Sequence, residues 1–220
     1  MGFRDLAVLG MTAFLTWSSV PARPAVLGVV IEANRAHLNA TAVTAGATVY
    51  DGDRYTTEMR GTVRLQKGTT MVRLGEESEM TVRSEPNSTE GVQAELGLGT
   101  LVFSAKRASA LEVVASNAHV RPAADMPTSA QVRVMGPKEL WLRVLRGTVE
   151  LSYRGETETI PDGVAYRVIL DPAENESKKD QKGPVNDRKK KAFILISLVG
   201  VPALIYGLHK GFEYESPERP

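Results

Sequence analysis

Cysteine is absent from the 220 residues. That excludes a disulfide framework, a thiolate metal site, a cysteine nucleophile and a lipid-modified N-terminal cysteine as a membrane anchor. It does not report the compartment, since a reducing cytosol permits it and so does an envelope protein that relies on its core alone. Net charge is almost as scarce. Twenty-seven basic residues against 26 acidic ones leave a formal charge of +1, so no global field attracts nucleic acid or acidic partners. Any electrostatic partner must be recruited by a local patch. Histidine is limited to His37, His119 and His209. The length accommodates one globular domain with targeting segments, or two very small domains.

What is present begins with an apolar run at each end. Leu6 to Trp17 is apolar, follows the short start MGFRD, and precedes Val20-Pro21-Ala22. A short n-region, an apolar stretch and a small-residue site in that order describe a secretory signal peptide over 1–22. A buried N-terminal helix is the competing reading, and Asp5 beside Arg4 weakens the n-region. The second run, Ala192 to Leu208, is uncharged and carries Pro202 and Gly200, which lipid-embedded helices tolerate. As a helix it reaches about 25 Å, a little short of the hydrocarbon core, and it reads as a transmembrane helix over 192–208 with a tail over 209–220. Lys178, Lys179, Lys182, Arg188, Lys189, Lys190 and Lys191 precede it, a bias that by itself keeps that side cytoplasmic. A working signal peptide places the same side outside. The first targeting segment usually dominates, so a periplasmic or otherwise extracytoplasmic domain is expected, with a tail-anchored cytoplasmic domain as the alternative.

Between the ends, short runs alternate polar and apolar residues. They include Thr62 to Gln66, Met71 to Leu74, Met80 to Arg83, Leu96 to Phe103, Leu111 to Ala115, Ala130 to Val134, Trp141 to Leu145, Thr148 to Tyr153 and Val164 to Leu170. Period-2 runs separated by turn residues predict an all-β sandwich, barrel or solenoid over 23–172. Val63, Leu65, Val72, Leu74, Met80 and Val82 share one face and form the expected core. Asp51-Gly52 favours a primed hairpin turn, and Lys67-Gly68, Arg146-Gly147 and Arg154-Gly155 mark further turns. Residues 173–191, rich in charge and containing Gly183-Pro184, read as a solvated linker, either attracted to anionic lipid headgroups or serving only as a spacer.

The stretch from Ala45 to Val82 (AGATVYDGDRYTTEMRGTVRLQKGTTMVRLGEESEMTV), with GLGTLVFSAK at Gly97 to Lys106, resembles the FecR domain. The hairpin pattern from Val134 to Leu151 and Gly163 in IPDGVAYRV extend the likeness over most of residues 40–170. The resemblance implies a β-rich, solenoid-like bacterial envelope module. Anti-sigma members of that family carry a helical sigma-binding region and a membrane helix before the β domain. Here nothing before residue 25 could form that region and the apolar run follows, so only the module carries over.

Chemistry is sparse. HExxH, GxSxG, P-loop and GxGxxG motifs are missing, and neither His37 nor His119 has a ligand-spaced partner. Glu76, Glu77 and Glu79, or Asp51 and Asp53, offer hard oxygens for calcium but lack the twelve-residue loop. Three Asn-x-Ser/Thr tripeptides, at Asn39, Asn87 and Asn175, carry no expectation in a bacterial protein. No catalytic, metal or cofactor-binding residue and no cofactor is assigned. The expected function is a noncatalytic, membrane-tethered module that binds a protein partner or an envelope glycan, and no nucleic acid. The rivals are a polysaccharide-acting hydrolase or lyase using Glu150 with Glu156 or Glu158, and a purely structural spacer.

Overall fold

A computed structural model describes residues 25–85, 91–172 and 192–198. The first half holds β1 (Val26–Leu38), β2 (Thr41–Ala42), β3 (Thr48–Tyr50), β4 (Arg54–Lys67), β5 (Thr70–Leu74), β6 (Glu79–Ser84) and β7 (Val92–Ala105). A 3₁₀ turn, Ala108–Ala110, leads into β8 (Leu111–Ala115), β9 (Ala118–Pro122), β10 (Thr128–Gly136) and β11 (Glu139–Arg146). Then come β12 (Thr148–Tyr153), β13 (Glu156–Pro161), β14 (Ala165–Leu170) and β15 (Phe193–Ser197). The all-β expectation holds.

Three long strands change neighbours along their length, and this divides the sheet into two layers. Arg54 to Thr56 of β4 pair with β6, whereas Val63 to Lys67 pair with β5. The first half of β7 lies between β6 and β8, and its second half between β5 and β10. In β1, Val29 to Asn34 face the far half of β4 and Ala36 to Leu38 its near half. One layer therefore runs β13-β12-β9-β8-β7-β6-β4-β1-β2, and the other β15-β14-β11-β10-β7-β5-β4-β1-β3. After β7, successive hairpins β8–β9, β10–β11, β12–β13 and β14–β15 alternate between the layers. This is a sandwich whose later part is wound like a solenoid, so both expected architectures describe part of it.

One continuous core fills the space between the layers. Val63, Leu65, Val72, Leu74, Met80 and Val82 are all buried, as the alternation indicates. Phe103, Leu101, Leu140, Leu142, Leu151 and Ile160 join them at 1% exposure or less, each contributing about 1.5–3 kcal/mol by removal from water. On β7 the inward residues are Val92, Ala94 and Leu96, then Leu101, Phe103 and Ala105. The odd step from 96 to 101 turns the strand over, which is why Leu98 is 58% exposed.

The strands cross between layers at a polar corner. Thr57 Oγ1 donates to Gly75 O and accepts from Ser78 N at 3.0 Å. Ser78 Oγ donates to Glu76 O at 2.8 Å and accepts from Thr100 N at 2.9 Å. Thr57 and Ser78 are buried, so these bonds satisfy backbone groups that the crossing takes out of the ladders. Thr57, Gly75 and Gly99 all lie in the stretches that carry the family resemblance.

Two turns bear on the sequence reading. Arg154 and Gly155 both have positive φ (49° and 81°) between paired Tyr153 and Glu156, the two-residue hairpin expected. Asp51-Gly52 differs: β3 and β4 each pair with β1 and not with each other, so it is a turn between layers. Asp53 N donates to Tyr50 O at 3.2 Å with Gly52 at φ 86°, the glycine position of a type II turn.

The largest correction concerns the C-terminal run. Residues 193–197, expected to open a transmembrane helix, form β15, antiparallel to β14 from Leu170↔Phe193 to Tyr166↔Ser197. Phe193 is 7% exposed, and Leu195 packs against the core. Phe-Ile-Leu-Ile-Ser is as good a strand as a helix, because an apolar run of five does not declare its period. Asp171 N also bonds Ala192 O at 2.8 Å, so the chain re-enters the domain beside the point where it left. The expected linker, 173–191, therefore connects two adjacent points of the domain. No helix among the described residues is long and apolar enough to cross a membrane. The expected signal peptide, the whole of the expected linker 173–191, the rest of the apolar run and the tail lie outside the described residues.

Candidate functional site: the outer face of the second layer

The residues that suggested chemistry are dispersed. Asp51 Oδ1 accepts Ser84 N at 2.6 Å and Asp53 Oδ2 accepts Tyr50 N at 2.8 Å, so both carboxylates cap turns. Burial, with the Asp53 carboxylate adding to it, pushes the Tyr55 phenol well up. Glu76 accepts Arg60 N at 2.9 Å, and Glu79 pairs with Arg54 at 2.7 Å. His37 lies 3.7 Å from Glu58, while His119 meets Glu112 at 3.0 Å on another strand pair. Glu150 faces outward and binds Arg121 at 2.8 Å. Glu156 and Glu158 stand opposite the buried Tyr153 and Leu151, on the inner side of the same layer. The two-carboxylate arrangement of the hydrolase reading is thus not assembled. Among the described residues, no group of three metal-type donors converges. An apolar cavity of about 20 Å³ between Leu27, Val49, Leu65 and Met80 has room for one water.

The two outer faces differ in charge. On the first layer, acids have bases beside them: Glu79 with Arg54, Glu95 with Arg83 at 3.5 Å, Glu112 with His119, and Glu150 with Arg121. Glu85, just beyond the end of β6, stands apart. Its Oε2 is buried with no hydrogen-bond partner among the described residues. Burial, then the Glu112 carboxylate, hold its pKa above the usual carboxylate range, with Arg121 opposing. An acid whose folded pKa is raised costs nothing while it is protonated in both states. The cost grows as pH rises through its unfolded value of about 4.3 towards the folded one. Glu85→Gln is therefore expected to raise the urea midpoint at pH 7.5 and to leave it unchanged below about pH 4, near that unfolded value. A lower midpoint at pH 7.5 would show that Glu85 is bound as an anion.

On the second layer, one row of direct cross-strand partners reads Glu32, Arg64, Arg73, Val102, Gln131, Arg143. The next row contains Thr100, Arg133, Trp141, Arg167 and Ile196. Arg146 stands opposite Ser129 one rung further on, beside a bulge that exposes Leu145. Six arginines thus share this face with two glutamates. Glu32 holds Arg64 at 2.9 Å, and Arg167 makes two bonds to Glu139, at 2.7 and 3.1 Å. Those bonds keep the Glu139 carboxyl below its ordinary range. Arg73 donates to Thr62 Oγ1 at 3.3 Å, and burial lowers its pKa, with Glu32 opposing. Arg133, Arg143 and Arg146 have no acid within ion-pair distance among the described residues. Val102 and Gln131 are 3% and 5% exposed although they point outward, so neighbouring side chains on this face cover them.

Towards the edge, the same face becomes apolar. Ile169 and Ile194 are direct partners pointing away from the core, and Ile196 continues their line. Trp141 sits between Arg133 and Arg167, with Arg143 two residues along its own strand. Composition conceals this patch, because the total charge is balanced; only the strand register brings these residues onto one surface. The signal available in sequence was slight. Trp141 and Arg143 occupy alternate positions of one run, and no acid lies between Leu140 and Val149.

No family model and no curated protein matches the chain. Two crystal structures of a candidate anti-sigma factor from Parabacteroides distasonis, at 1.65 and 2.50 Å resolution, are similar to it at 17% identity and a TM-score of 0.44. Each match covers 53% of this chain, and the chain spans about half, 54%, of the structures it matches.

Proposed function

We propose that the chain is a noncatalytic envelope module of FecR type, held at a membrane by its C-terminal apolar run. It docks onto an envelope component through the outer face of its second layer, in a signalling or scaffolding role. The observation that carries this reading is the contrast between the faces. One pairs its strand acids with bases, and the other leaves Arg133 and Arg143 beside Trp141, with Arg146 further along the same strand, all without acid partners among the described residues. Unneutralised arginine beside tryptophan is the composition of binding hot spots, and arginine forks fit carboxylate and phosphate groups. A strand face held in register by both neighbours presents these groups without a backbone ordering cost, leaving only the side-chain rotamers to be fixed.

A photo-crosslinking amino acid tests it, placed in the full chain at Ser129 on the second layer or at Ser152 on the first. Adducts are expected from Ser129 in intact cells and not from Ser152. Adducts from Ser152 alone, or from neither site in correctly localised protein, would contradict the assignment of the face.

A further inference from the structure

We infer that the outer face of the second layer rests on an anionic bilayer surface. The inference deepens the proposed docking role and rests on it. Three observations converge. First, β15 consumes residues 193–197 of the apolar run, which leaves Leu198 to Leu208, eleven residues. As a helix these would reach about 17 Å, against a hydrocarbon core of about 30 Å. A run of that length is too short to span the core, and where it anchors at the interface instead, a second contact is needed for stable attachment.

Second, nothing spaces the domain from that run. Asp171 and Ala192 are hydrogen-bonded, so the intervening residues close a loop on the domain, and β15 hands the chain straight to Leu198. The second layer, whose edge is β15, is therefore the part of the domain nearest the membrane. Third, this face carries the chemistry of a headgroup contact. Arg133, Arg143 and Arg146 supply charge complementary to anionic phospholipid, worth roughly fivefold in partitioning per residue near the surface. Trp141 has the amphipathic ring that settles at headgroup level, and Ile194 and Ile196 extend the apolar border up to the anchor. A protein partner fits less well. Protein interfaces centre on an apolar core inside a polar rim, whereas here the charged residues are central and the isoleucines lie at the edge.

The test uses the full chain with Trp17→Phe, so that Trp141 is its only tryptophan. The protein is reconstituted in phosphatidylcholine vesicles and in vesicles with about 30% phosphatidylglycerol, a mildly anionic surface, each containing lipid brominated near the headgroup. Trp141 fluorescence is expected to be quenched at least about twofold more in the anionic vesicles, because the charged contact sets its depth. The excess should vanish in about 0.5 M salt, where screening reaches only a few ångströms, and in the Arg133→Glu, Arg143→Glu, Arg146→Glu chain. Equal quenching in both lipids, or quenching indifferent to the charge reversal, overturns the inference. So does a crosslinked protein partner lost on charge reversal while Trp141 stays unquenched. Failure of the anchor reads differently: the chain would leave phosphatidylcholine vesicles yet still bind and be quenched on anionic ones. That result rejects the C-terminal tether and keeps the surface.

Discussion

Replacing Gly99 by alanine is expected to remove about 3–5 kcal/mol of stability, a large share of the 5–15 kcal/mol typical of a folded domain. Gly99 has φ 85°, where an L side chain costs about 1–2 kcal/mol. A Cβ there would overlap Ser78 Oγ and lie 2.7 Å from Ser78 Cα, a backbone atom that cannot swing away. Relief requires moving Ser78, whose hydroxyl holds Thr100 N at 2.9 Å and Glu76 O at 2.8 Å. Leaving such buried groups unpaired costs about 1–3 kcal/mol. The site matters because β7 turns over here, taking Leu96 into one layer's core face and Leu101 into the other's.

Gly52→Ala separates the two causes. Gly52 has nearly the same φ, 86°, with nothing within 4 Å of an added Cβ, so only the backbone cost of about 1–2 kcal/mol applies. Urea unfolding of both variants checks the expectation. Equal losses would mean that the corner around Ser78 relaxes freely and that Gly99 is merely a turn glycine.

Much of the fold is legible from alternation alone. Leu111 to Ala115 and Thr148 to Tyr153 are strands over the bounds that their apolar period marks. The six anticipated core residues are buried, since a period-2 pattern fixes which side chains share a face. Strand β1 was not anticipated, and β13 was expected only as the strand that follows the Arg154-Gly155 turn, with no alternating run of its own. Within β1, Arg35 at φ 46° and two register shifts break the alternation, and Glu158 of β13 puts a charge on the inward side of an edge strand. The Asp51-Gly52 turn shows a different limit: local turn chemistry names a conformation, but whether the flanking strands pair depends on β1, which both of them use. The arginine face was illegible for the same reason. Arg73 and Gln131 are far apart in the chain, yet only Val102 stands between them across the layer. Charge there is a property of register, and composition averages it away.

Strand β15 decides where the domain ends and whether residues 193–197 belong to the sheet or to a helix over the apolar run. The absence of cysteine supplies the means to test it, since any engineered pair is the only pair. Ile169 and Ile194 are direct cross-strand partners. Such residues have Cα atoms about 4.5–5.5 Å apart, inside the range a disulfide spans. Ser197 is three residues further along β15, about 10 Å from that register position and outside the range. The measurement is disulfide formation under mild oxidation in the full chain reconstituted with lipid vesicles, comparing Ile169→Cys with Ile194→Cys against Ile169→Cys with Ser197→Cys. The 169–194 pair is expected to close almost completely with vesicles present and the 169–197 pair to stay reduced. If neither pair closes with vesicles present, residues 193–197 have left the sheet, as a membrane-spanning helix over the apolar run would require, and both the completed second layer and its proposed contact with the bilayer would be wrong.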